Sequence, residues 1–143
     1  LGGLDFGRKL VILARTCGKA VVIDDVEIQD LVPPRLRELP LGQFLESLRD
    51  LDHALGTRFG DARMSGNVVW YVGTADLVEG KYAIGFEEFP ANDPIASSRD
   101  SDNFLKLNPT GWARSVSVIG PGAGPTETTS SLIRGLLNVA YNV

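Results

Sequence analysis

Asp5 and Lys9 stand four residues apart at the start of this 143-residue chain. On a helix, positions i and i+4 share a face, so this carboxylate and this ammonium would point at a common spot beyond the helix surface. The chemistry open to such a pair is acid–base work at that spot. The same spacing equally suits a surface ion pair worth about 0.3–0.5 kcal/mol. A second candidate is Gly120-Pro121-Gly122-Ala123-Gly124, a glycine-rich turn feeding a helix from about Pro125 to Tyr141. Unpaired N–H groups and the positive end of a helix make such a turn a site for an anion or dipole. It serves close packing just as well, and it lacks the lysine of a phosphate-binding P-loop.

These groups must be positioned by elements that the hydropathy pattern makes legible. Residues 4–17 read as an amphipathic helix with Phe6, Leu10, Leu13, Ala14 and Cys17 on the apolar stripe and Gly18 as its C-cap. Cys17 is expected there as a buried small hydrophobe rather than a nucleophile. Val21-Val22-Ile23 and Val26-Glu27-Ile28 read as short extended segments around an Asp24-Asp25 turn, and Pro33-Pro34 forces a break. A second helix is expected from Leu41 to Met64, bent or frayed near Gly56 and Gly60, with His53 on its surface. Val68 to Val72 and Tyr82 to Phe86 read as antiparallel strands. After a polar loop over residues 90–103, Phe104 to Leu107 and Ser115 to Ile119 give two more. Proline suits the first turn of the final helix, where Thr126, Thr128 and Thr129 offer hydroxyls to unpaired N–H groups.

Composition narrows the function classes. Hydrophobic residues make up 43% and charged residues 22% of the chain, ordinary for a single globular domain with a real core. A net charge of −4 without a basic cluster argues against nucleic acid as a partner. One cysteine and one histidine give a zinc site no ligands to draw on, so no metal is expected. No apolar run reaches the length of a membrane span. The sequence starts without Met at a loop-to-helix junction and reads as a fragment.

Four blocks, in order along nearly the whole chain, carry a resemblance to one family. They are Gly3-Leu4-Asp5-Phe6-Gly7-Arg8-Lys9-Leu10-Val11-Ile12-Leu13-Ala14-Arg15, Val69-Trp70-Tyr71-Val72-Gly73, Ser101-Asp102-Asn103 after the Asn92-Asp93-Pro94 turn, and Gly120-Pro121-Gly122-Ala123-Gly124. The chain resembles the C-terminal, substrate-binding and dimerisation half of homoserine dehydrogenase, in its fungal or aspartate kinase-fused form. That resemblance implies hydride transfer between aspartate 4-semialdehyde and homoserine with NADP or NAD, in threonine, methionine and isoleucine biosynthesis. It implies Lys9 as the catalytic acid/base at the reacting oxygen, Asp5 as a substrate-binding residue, and Gly122 and Gly124 as backbone contacts to the cofactor.

The implied fold is α+β, a mixed sheet covered by helices on one face. Residues 1–119 would form the substrate and dimerisation domain, and residues 120–143 a glycine turn and helix returning to a Rossmann domain that this chain lacks. A homodimer in the cytoplasm is the expected setting, and the fragment alone is expected to be inactive. Any organelle-targeting segment would lie in the part preceding residue 1. Glu127 and Gly111-Trp112 depart from the family pattern, and Glu127 would repel a pyrophosphate. The rival reading is a non-catalytic dimerisation or regulatory module that kept the fold.

Overall fold

The structure, a computed structural model, describes residues 2–99 and 101–141. They form two compact units, one within residues 1–91 and the other within 92–143. This division by contacts falls at a different place from a division by role after residue 119.

In the first unit, α1 (Leu4–Thr16) leads through a single 3₁₀ turn to β1 (Val26–Ile28), the short α2 (Pro34–Arg37), the long α3 (Leu41–Met64), and the strands β2 (Asn67–Asp76) and β3 (Lys81–Pro90). The strands form one mixed sheet in the order β1-β3-β2, with β1 parallel and β2 antiparallel to β3. The β2–β3 connection is closed by Asp76, whose carboxylate accepts the N–H groups of Val78 and Glu79, each at 2.9 Å. Those two bonds hold the Asp76 carboxyl below its ordinary pKa.

The core lies between α1 and the sheet. Leu10, Val11 and Ala14 of α1 are buried with Val21, Val26 and Ile84, and Phe6, Ile23, Ile28, Tyr71 and Tyr82 pack around them. Ile84 pairs with Ile28 and Tyr71 with Phe86, so these residues line the α1 side of the sheet. Phe59 of α3 meets the Phe86 ring edge-on at 5.8 Å, which puts both helices on the same face. This is the α+β, one-face arrangement expected from the sequence.

Two details differ from the expectation. Cys17 is exposed, because α1 ends at Thr16 and Cys17 takes the cap position. There its N–H bonds the carbonyls of Leu13 and Ala14, while Gly18 N–H bonds Arg15 and Lys19 N–H bonds Ala14. Leu13, on the expected stripe, is also exposed. Val21 and Val22 are not strand; Ile23–Asp25 instead closes as a 3₁₀ turn in which the Asp25 carboxylate accepts Val22 N–H at 2.8 Å. Val68 to Val72 is half-buried along its length.

The second unit opens with a 3₁₀ turn at Pro94–Ser97, capped by the Asp93 carboxylate, which accepts Ile95 N–H at 3.0 Å. It continues through the antiparallel pair β4 (Asp102–Leu107) and β5 (Val116–Pro121) to α4 (Pro125–Tyr141). No helix among the described residues is long and apolar enough to cross a membrane.

Candidate functional site

The site begins at the entry to α1. Gly3 caps this helix at φ 70°, a left-handed conformation that glycine reaches without steric cost. A side chain here would also meet Ile28 Cγ2 and Tyr71 Oη, each at 2.6 Å. One turn later, a Cβ on Gly7 would stand 2.7 Å from Ile23 Cδ1 and 2.9 Å from Ile28 Cδ1. Two missing side chains therefore let α1 lie directly on the sheet.

With Gly7, Leu10, Val11 and Ala14 facing inward, helical geometry sends Asp5 and Lys9 outward. Lys9 Nζ lies 3.1 Å from Asp5 Oδ2, with the lysine side chain 69% and the aspartate 83% exposed. Leu4, Ile12 and Leu13 are exposed on the same helix, so the charged pair is flanked by apolar surface. A carboxylate that accepts and an ammonium that donates, both reachable, can hold an amino acid's ammonium group and place a proton at an oxygen beside it.

The floor beneath α1 is aromatic. Tyr71 donates its hydroxyl to the Gln29 carbonyl at 2.7 Å, and its ring lies 6.1 Å from Phe6 and 5.3 Å from Phe86. Burial raises the Tyr71 phenol pKa, keeping it a neutral donor. Gln29 itself extends the β1–β3 ladder, since its N–H donates to the Ile84 carbonyl and its side-chain Oε1 accepts Phe86 N–H, both at 2.8 Å. Arg58 of α3 donates to the Phe86 carbonyl at 3.1 Å and lies over its ring at 5.2 Å.

A separate open cleft of about 750 Å³ in the first unit adjoins Gly2, Asp30, Leu36, Arg37 and Phe44, and neither Asp5 nor Lys9 lines it. Its charged groups, Asp30 and Arg37, are paired with each other. The outward face of α1 therefore remains the stronger candidate for proton chemistry.

In the second unit, the turn from β5 to α4 holds Gly122 and Gly124. Gly124 adopts φ 149°, which a side chain would strain, and a Cβ there would run into the Glu127 carboxylate. A Cβ on Gly122 would run into the Asn103 carboxamide. The Asn103 and Glu127 side chains thus occupy the space that a Cβ would take at this turn, and Glu127 places negative charge against the first turn of α4. Negative charge at that position disfavours an approaching phosphate.

The structure brings Asp5 and Lys9 into contact and places Gly122 and Gly124 in the other unit. Gly3, Tyr71, Ser101 and Asn103 carry no role that their residue types and spacing alone assign. Period-two alternation puts Tyr71 and Gly73 on one face of β2, a readable signal. Nothing local in the sequence marks Asn103 as a neighbour of Gly122.

A family model described as Homoserine dehydrogenase matches residues 1–137. The chain is 32% identical to a homoserine dehydrogenase of Emericella nidulans over 97% of its own length and 40% of that protein's. It is 29% identical to the chloroplastic bifunctional aspartokinase/homoserine dehydrogenase 1 of Arabidopsis thaliana, over 99% of this chain and 16% of that one. The crystal structure of S. aureus homoserine dehydrogenase superposes with a TM-score of 0.67 at 20% identity, covering 98% of this chain and 31% of the other, a likeness of fold. The chain therefore spans well under half the length of these proteins.

Proposed function

This chain belongs to the homoserine dehydrogenase family, and we propose that it supplies the substrate-binding and proton-transfer half of an enzyme interconverting aspartate 4-semialdehyde and homoserine. The observation that carries this reading is the Asp5–Lys9 pair, 3.1 Å apart and exposed, on a helix fixed to the sheet through Gly3 and Gly7. When bound, a nicotinamide dinucleotide, NADP or NAD, supplies or accepts the hydride. Lys9 does the rest of the charge management. Its ammonium donates to the substrate's reacting oxygen as negative charge develops there and takes the proton back in the opposite direction. Asp5 accepts from Lys9 and from the substrate's own ammonium group, which fixes both.

Gly122 and Gly124 would let the cofactor approach the backbone at the β5–α4 turn. The face of α4, with Leu132, Leu136 and Leu137 exposed, would lie against a nucleotide-binding domain in the longer protein, and two copies would form a dimer in the cytoplasm.

Lys9→Ala and Asp5→Asn in the full-length enzyme test this reading. Removal of a positioned proton donor lowers turnover by on the order of a hundredfold, so Lys9→Ala should lose that much kcat with an unchanged melting curve. Asp5→Asn should act on homoserine KM. A folded Lys9→Ala enzyme with full turnover would reduce the pair to a surface ion pair.

A further inference from the structure

We propose that Ser101 and Asn103, at the head of β4, are positioning residues that hold the 120–124 glycine turn in its working shape. The inference rests on the reading that this turn approaches a nicotinamide dinucleotide. Glycine pays the largest conformational entropy on ordering, so a turn with three glycines in five residues cannot set its own shape. The restraint comes from the neighbouring strand. Ser101 contributes twice: its carbonyl accepts Gly122 N–H at 2.8 Å, and its hydroxyl donates to the Ala123 carbonyl at 3.1 Å. Asn103 fills the volume over Gly122 where a Cβ would otherwise stand.

Asp102, between them, pairs with Pro121 in the β4–β5 register. Its carboxylate accepts Arg99 N–H at 3.0 Å, and its own N–H donates to the Arg99 carbonyl at 2.7 Å. The segment that carries Ser101 is thereby closed at its base. All three side chains of Ser101-Asp102-Asn103 have structural work around the turn, and two of them touch it.

The effect on a ligand is indirect. Ser101 and Asn103 act through the backbone of Gly122, Ala123 and Gly124, so their loss should weaken dinucleotide affinity while leaving homoserine KM nearly unchanged. The test uses the full-length enzyme, titrating NADPH and NADH separately by fluorescence and measuring amide hydrogen exchange over residues 120–124. Ser101→Ala should raise the dissociation constant about five- to tenfold, the scale of one lost hydrogen bond, Asn103→Ala should raise it by loosening the packing over Gly122, and both should speed exchange of the Gly122 amide, which bonds the Ser101 carbonyl. Homoserine KM should stay within about twofold, and Ser101→Thr, which keeps the hydroxyl, should restore wild-type affinity.

Gly122→Ala should weaken binding on its own, and adding Asn103→Ala should recover part of that loss by removing the collision. Unchanged exchange in folded Ser101→Ala and Asn103→Ala proteins would overturn the positioning role. Faster exchange with unchanged affinity for both dinucleotides, accompanied by a Gly124→Val protein that also binds normally, would instead overturn the reading that the turn meets the cofactor. If Gly124→Val loses binding while Ser101→Ala and Asn103→Ala bind normally, the positioning proposal alone fails.

Discussion

At the scale of single residues, the site depends on groups that do no chemistry. Asp5 and Lys9 pair with each other on the helix that carries them, and that helix is placed by Gly3, Gly7 and the Tyr71 hydroxyl beneath it. Tyr71→Phe keeps the ring contacts with Phe6 and Phe86 and deletes one hydrogen bond to Gln29. It should cost about 1 kcal/mol in urea unfolding at neutral pH. Because burial raises the phenol pKa, the neutral form is the favoured one in the folded protein. That contribution is fully present below the ordinary tyrosine value of 10.0 and is lost as pH rises through the elevated folded value. The Tyr71→Phe difference should therefore shrink in alkaline unfolding curves. Gly3→Ala should be the harsher change, since it adds left-handed strain of roughly 1–2 kcal/mol to a collision with Ile28 and Tyr71, and it should lower turnover without any change to a charged group.

At the scale of elements, the Asp93–Lys106 pair shows how a strand and a turn are joined. Lys106 Nζ of β4 lies 2.9 Å from Asp93 Oδ2, and the Asp93 side chain is only 14% exposed. The bond from Lys106, with help from Ile95 N–H, lowers the Asp93 pKa below its ordinary 3.8. A depressed carboxyl adds stability above its unfolded pKa and loses it as pH falls through the folded value. Acid unfolding should consequently be steeper below about pH 4 in the wild type than in Asp93→Asn, a comparison that circular dichroism against pH makes directly.

Much of this element layout is legible in the sequence. The α3 bounds Leu41 and Met64 follow from leucine periodicity, and the β2–β3 and β4–β5 pairs follow from alternating apolar residues and their turns. The errors have a common physical cause. Burial on α1 centres on Gly7, which has no side chain for a hydrophobicity count to register, so the apolar stripe is displaced toward Leu13 and Cys17. The parallel pairing of β1 with β3, past the strand that follows α3, is set by tertiary packing. Likewise, Asn103 reaches Gly122 through a strand register that no local pattern encodes.

At the scale of the whole molecule, the exposed apolar surface sets the expected behaviour of the 143-residue chain by itself. Beyond the Leu132, Leu136 and Leu137 face of α4, Ile133 and Val139 are exposed on the same helix, and β2 is a ten-residue edge strand of its sheet. Long edge strands and contiguous apolar faces are strong drivers of association. The isolated chain should therefore sediment as a dimer or larger species at concentrations on the order of tens of micromolar, the range in which micromolar association is saturated. It should also show no cofactor-dependent turnover of homoserine, because the roles proposed for Asp5 and Lys9 are to place and protonate a substrate, and neither role holds a dinucleotide against it. The two measurements separate assembly from catalysis. A monomer at that concentration would count against dimerisation through this region while leaving Lys9 untouched. Turnover by the isolated chain above a protein-free control would mean that the described residues alone bring cofactor and substrate together, and it would overturn the assignment of this chain to the substrate half of a larger enzyme.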